Sequence, residues 1–385
     1  MHYDRSLAAH QSHRLSRNDA GRTNESFPFY QEAAALAKAA AEKGGDDAKQ
    51  AWHDYANIIG NCAVAFRHVS NFHLSRELQK ERASALTKAG AHEVEILSTE
   101  VEALRLDVEQ GEAERVLPDI EKRVAKMQDW WNRARKEGDI PGALIAHFYE
   151  SALDLDRMVR TTLNDWEAAL GRTDEILKLA ADRGQPIDHQ MVYQRNRAVL
   201  LTQLGRFTEA KDVLDSCLEI FRNDPINRAR TFHTLSDLFA KQGDFAQAII
   251  QGRRSLALLD TLPNPGERSI AHSALALYFQ RSEEARGRDE AAGHRLAALV
   301  YGIVTSHAQG LGQAVQSYAE SINLTDPTPV VPNVAALLTQ AQFQPLKEWL
   351  REHAVDMAKL QAYVDGVLEE VRMRLSEQNK MKDRS

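Results

Sequence analysis

Leu204-Gly205-Arg206-Phe207-Thr208-Glu209-Ala210 returns, 38 residues on, as Gln242-Gly243-Asp244-Phe245-Ala246-Gln247-Ala248. The same interval of 38 separates Gly205 from Gly243, Phe207 from Phe245, Ala210 from Ala248 and Pro225 from Pro263. An interval kept at four kinds of position marks a repeated structural unit rather than a coincidence of composition. Ahead of the first glycine, Val192, Leu200, Leu201 and Leu204 recur at helical spacing. Behind it, Phe207, Ala210, Val213, Leu214, Cys217, Leu218 and Phe221 form an i, i+3/i+4 stripe. Glycine suits the stop between them because it takes the positive φ that closes a helix. Asn223-Asp224-Pro225 is expected to end the second helix, since proline cannot continue one. The next unit repeats the scheme: Phe232, Leu235, Leu238 and Phe239, then Gly243, then Phe245, Ala248, Ile249, Leu256 and Leu259, closed by Pro263. Ala210 and Ala248 are expected where paired helices cross closely.

This pattern resembles the tetratricopeptide repeat family, whose hairpin has a small residue in its first helix and an alanine early in its second. Ala198 and Ser236 take the small position, Leu201 and Phe239 the large one after it. Gln194 and Phe232 stand where the family has tryptophan, Leu214 and Gly252 where its second helix has an aromatic, and the period exceeds the family's ~34. The resemblance implies an all-α fold, a right-handed α-solenoid of tandem helical hairpins with a C-terminal capping helix. It also implies a concave groove, lined by the first helices, that holds a peptide or protein partner.

Composition agrees with a repeat array. A chain of 385 residues is long for one core but natural where each unit packs only on its neighbours. No apolar run approaches the ~18 residues that span a bilayer, and the N-terminus has no signal-peptide pattern, so a cytoplasmic protein without a membrane segment is expected. Cys62 and Cys217, far apart in sequence, read as buried reduced thiols. The net charge of −7, spread along the chain, disfavours nucleic acid as a partner.

Four regions are expected: a mobile polar tail over 1–26, degenerate helical hairpins over 27–140, the repeat array over 141–324, and a linker with a helical cap over 325–385. His2, His10 and His13 in the tail read as solvated. Helices are expected over 27–43, 46–69, 70–89 and 92–110, and another through Leu117-Pro118 to Gly138. Trp130-Trp131 reads as one core residue beside a partly exposed neighbour. Asn164-Asp165-Trp166-Glu167-Ala168-Ala169 reads as another hairpin turn, with Trp166 and Ala169 spaced like Phe207 and Ala210. After Pro265 the pattern decays: a first helix carries His272, Ala274, Leu277 and Tyr278, a charged loop begins at Arg281, and a second helix runs from Leu296 to His307. A helix follows over 311–322, then the linker Thr325-Asp326-Pro327-Thr328-Pro329. Short helices are expected near Val334–Leu338 and Leu346–Leu350, and a last one over 355–377 with Leu360, Val364, Leu368 and Val371 on one stripe.

Nucleotide-loop, zinc-protease, C-x-x-C and G-x-S-x-G patterns are absent from the sequence, so no cofactor, metal or catalytic residue is expected. The candidate site is a strip of first-helix residues that the resemblance places in the groove: Arg195 and Asn196 in one repeat, Arg230, His233, Asp237 and Lys241 in the next, then Arg268 and His272. Its Arg and His members suit an acidic segment or a C-terminal carboxylate. Thr202 and Gln203 share that face. The family's Lys/Asn carboxylate clamp is not carried over, because Val199 and Asp237 hold the asparagine position. The expected function is a non-catalytic interaction scaffold. The alternative is a regulatory or sensor module serving a separate ATPase, protease or DNA-binding effector, as such arrays do in larger bacterial proteins.

Overall fold

The computed structural model describes residues 23–68, 71–137, 142–262, 266–282, 287–305, 308–321 and 333–382. Among them the regular structure is helical throughout, with no strand. The chain divides into two compact units, the first ending at Ile220 and the second beginning at Phe221.

The first unit contains α1 (Thr23–Glu42), α2 (Ala48–His68), α3 (Phe72–Ala89), α4 (Glu93–Glu109) and α5 (Ala113–Glu137). It continues with α6 (Gly142–Thr162), α7 (Trp166–Asp182), α8 (Ile187–Gln203) and α9 (Phe207–Ile220). Each helix packs on the ones before and after it, and α4 also touches α6, the pattern of stacked hairpins. One core gathers Tyr30, Tyr55, Ile58, Ile59 and Leu86; a second runs from Val94 through Ile120, Met127 and Leu153 to Ile176. Trp130 is buried in that second core and Trp131 lies half-buried at its edge, as the sequence suggests.

The second unit opens with a 3₁₀ turn, Phe221–Asn223, followed by α10 (Pro225–Lys241), α11 (Phe245–Leu259), α12 (Gly266–Arg281), α13 (Gly287–Thr305) and α14 (Ala308–Ser321). Short α15 (Val334–Leu337), a 3₁₀ turn at Ala341–Phe343 and α16 (Gln344–Glu352) lead to α17 (Met357–Lys382). Leu360, Val364 and Leu368 of α17 are buried in a core shared with α13 and α14, so this helix closes the apolar side of the last hairpins.

The turn chemistry is the same wherever a hairpin recurs. Gly205 and Gly243 have φ of 74° and 84°, and the next amide donates back five residues: Arg206 N to Leu201 O at 2.9 Å and Asp244 N to Phe239 O at 2.9 Å. Asn164 takes the glycine position with φ 60°, and Asp165 N reaches Arg160 O at 2.8 Å. Asparagine tolerates the left-handed region better than other side chains, which is how a hairpin turn survives there without glycine. Ala198, Ser236, Ala210 and Ala248 are all fully buried, each small residue letting the paired helix come close.

Several boundaries differ from the sequence expectation. Residues 1–22, with His2, His10 and His13, lie outside the described residues, and α1 starts at Thr23 rather than Phe27. The breaks at 138–141 and 325–329 also lie outside them. Pro225 does not terminate a helix from behind: α9 ends at Ile220, and Pro225 opens α10, where its missing amide costs nothing. Asp224 caps that start, accepting from Asn227 N at 3.0 Å. The helix expected over 296–307 begins at Gly287, because the end of the charged loop already belongs to α13.

Candidate partner-binding site

Each half of the proposed strip lies in its own unit. In the first, Arg195 on α8 is buried and Asn196 half-buried. Arg195 turns inward toward Cys217: burial pushes that thiol up to about 11, and the Arg195 charge opposes the rise. Beside it, Glu150 of α6 accepts from Arg183 Nη1 (2.9 Å), Gln185 Nε2 (3.1 Å), His189 Nε2 (2.9 Å) and Tyr193 Oη (2.9 Å). That buried carboxylate locks the end of α7 and the start of α8 onto α6. Thr202, expected on the same face as the strip, is interior, its hydroxyl donating to Ala198 O at 2.8 Å.

In the second unit the strip splits. Arg230 on α10 is 46% exposed, and its guanidinium grips both oxygens of Glu267 on α12, with Nε at 2.9 and 3.0 Å. Glu267 holds the guanidinium's affinity for its proton above the ordinary value. His233 lies 3.7 Å from Asp237, one turn on, and Asp237 also accepts from the buried Tyr278 hydroxyl. Lys241 is exposed at the end of α10.

Arg268 and His272 do not belong to a groove surface. Arg268 is 5% exposed and serves as a cap for α11: its Nε donates to Leu259 O (3.1 Å), and Nη2 to Leu262 O (2.7 Å) and Asp260 O (3.2 Å). The last carbonyls of a helix lack partners within it, and a neighbouring cation satisfies them. The Asp260 carboxyl, 3.4 Å away, is raised to about 6 by burial against the pull of Arg268. His272 is buried with His294 of α13, their Nδ1 atoms 2.7 Å apart, and stacks on Tyr301. One Nδ1 must donate and the other accept, so at least one ring is neutral. Burial lowers both: His272 well below the usual range, with His294 and Arg268 adding to the effect, and His294 to about 4, with Arg253 adding.

Other cations of the second unit were passed over by the groove reasoning. Arg228 of α10 and Arg254 of α11 both lie over the Phe232 ring, at 5.7 and 5.8 Å, and Arg253 lies 5.2 Å over Phe279. A sequence signal was present: α11, Phe245–Leu259, contains Arg253-Arg254 and no acidic residue.

The comparisons with known proteins fall on the same stretch. Residues 190–261 match the family model for the tetratricopeptide repeat. No curated protein sequence matches the chain. Among solved structures, BtubC (BKLC) from P. vanneervenii aligns at 16% identity over 68% of this chain and 94% of that one, with a TM-score of 0.38. The fold assignment rests instead on the helices described above and on the repeat match. Repeats of this family generally mediate protein–protein contacts and are non-catalytic scaffolds. Among the described residues, no helix is long and apolar enough to cross a membrane. With their glycine turns and buried alanine crossings, residues 190–261 are a stretch of tetratricopeptide repeat.

Proposed function

We propose that the chain is a non-catalytic scaffold that holds a protein or peptide partner on the faces of the first helices of its repeats. The observation that carries this reading is the coincidence of the matched repeats with exposed or half-exposed polar side chains on those helices: Asn196 on α8, and Arg230, His233, Asp237 and Lys241 on α10. Arg268 and His272 drop out of the contact set, since both are spent inside the fold. Arg195, equally buried, supports the groove from behind rather than touching a partner. A reducing, cytoplasmic setting accords with Cys62 and Cys217, both buried and outside any disulfide.

A photo-crosslinking amino acid tests the reading. Placed at Asn196 or Lys241, it should capture a discrete partner from native lysate, while the same group at exposed Asp212 of α9 should not. Capture at Asp212 alone, or none at the two groove positions, overturns it.

A further inference from the structure

Between Pro225 and Arg281 the chain carries seven Lys and Arg residues against four Asp and Glu, although its overall charge is −7. The four acids are all engaged. Asp244 caps α11 through Gln247 N (3.0 Å), Glu267 holds Arg230, Asp260 lies beside Arg268, and Asp237 takes the Tyr278 hydroxyl and faces His233. Arg228, Arg253 and Arg254 are left with no carboxylate in ion-pair range among the described residues.

These three are not loose surface arginines. Arg228 and Arg254 share the face of one buried aromatic ring, Phe232; Arg253 lies over Phe279, which itself stacks on His294 at 5.4 Å. Gln251 holds Arg254 through its amide oxygen at 3.2 Å, and Arg228 Nε is buried without any hydrogen-bond partner. A guanidinium already oriented by a ring loses less freedom on binding, and its planar fork matches a carboxylate in a bidentate way that an ammonium cannot. On α11, exposed Ile250 lies one turn before Arg253 and Arg254, with small exposed Ala246 and Ala257 completing the face. An apolar anchor beside fixed cations, on a helix with no acid of its own, is complementary to one kind of ligand.

We infer that the exposed face of α11, with Arg228 of α10 beside it, is a docking surface for a short acidic protein segment that carries an aliphatic residue among its carboxylates. This surface uses none of the groove residues and rests on the reading that the repeats bind protein. A long polyanion fits less well: one helix of 15 residues offers a short cationic track, and the acidic remainder of the chain repels a polymer that runs past it.

The test is fluorescence anisotropy of a labelled peptide of about six residues, Asp and Glu around a central Leu, which when extended spans about the length of one such helix. The intact chain should bind it, more weakly as salt rises. Arg253→Glu with Arg254→Glu should weaken binding at least about tenfold at unchanged helical ellipticity, and the paired Arg→Lys changes should weaken it by about threefold, since charge is kept and the fork is lost. Ile250→Ser should lower affinity for the Leu peptide but not for the same peptide with Ser at its centre. If the reversal variant does not fold, the Arg→Lys pair and Ile250→Ser decide. No binding by the intact chain, binding indifferent to these changes, or tighter binding of a single-stranded oligonucleotide of equal charge would overturn the assignment. The titration touches none of the crosslinking positions, so it can fail while groove capture stands, and the reverse.

Discussion

The two units spend their arginines differently. In the first, thirteen described arginines form ion pairs, many of them from one helix to another. Arg67 on α2 meets Glu102 on α4 at 3.0 Å, Arg105 on α4 reaches Asp154 on α6 at 3.5 Å, and Arg172 on α7 holds Asp156 on α6 at 2.6 Å. In the second unit, Arg230, Arg268, Arg372 and Arg374 are paired, while Arg228, Arg253, Arg254, Arg281, Arg295 and Arg351 have no carboxylate partner among the described residues. Charge that fixes helix to helix in one region is thus left without a carboxylate in the other. The lesson is that cationic residues in a repeat array report on partners only after the internal pairs have been subtracted.

The largest effect should come from breaking the first unit's interior pairing. Asp156 is 0% exposed and held by both Arg160 and Arg172. Asp156→Ala removes the buried carboxylate that both arginines share, although Arg160 keeps Glu121 and Asp165 and Arg172 keeps Glu175, and should lower the unfolding free energy by roughly 3 kcal/mol, read by urea denaturation. A loss below about 1 kcal/mol would mean that these pairs are as dispensable as surface ones and would dissolve the contrast. Arg268→Ala in the second unit should cost about 2–3 kcal/mol, because the end of α11 loses its cap; Arg268→Lys should not restore it, having no fork to span three carbonyls.

Acid should act next, and on the second unit. His272 and His294 titrate below the ordinary histidine range in the folded chain, so the unfolded chain binds more protons once the pH falls under about 6.5. Stability they contribute is therefore present above pH ~6.5 and is lost as the pH falls toward 4. Asp260, raised to about 6, works in the opposite sense through the same window, losing stability as the pH rises. The two are separated by comparison: His294→Gln should show a shallower fall in Tm between pH 6.5 and 4.5 than the unaltered chain. Equal slopes would place the acid sensitivity elsewhere. The smallest effect should be Arg230→Ala, which removes a half-exposed pair and should cost less than about 1 kcal/mol.

The hairpins were legible because what makes them is local. A glycine at positive φ, a five-residue return bond and an apolar stripe all lie within one turn of each other, and even Asn164, which lacks the glycine, announces itself through Asp165-Trp166 and Ala169. Cys217 and the Trp130-Trp131 pair could be placed for the same reason. The site was less legible, since exposure depends on what the neighbouring element needs. Arg268 sits at a first-helix position that could face a groove, but the unsatisfied carbonyls of α11 draw it inside. His272 is claimed by a histidine 22 residues on, which no repeat spacing foretells. Gly252 has the converse history: a missing aromatic in the sequence pattern proves to be a close approach, where a Cβ would stand 2.8 Å from Leu275 of α12.

The contrast between the units is tested most directly by hydrogen–deuterium exchange of the intact chain with and without the acidic, leucine-containing peptide. Added protection confined to the α10–α11 hairpin, with exchange over α4–α7 unchanged, is the expected result. Protection over α4–α7, or none over α10 and α11 at saturating peptide, would contradict a second unit whose unspent arginines await a partner.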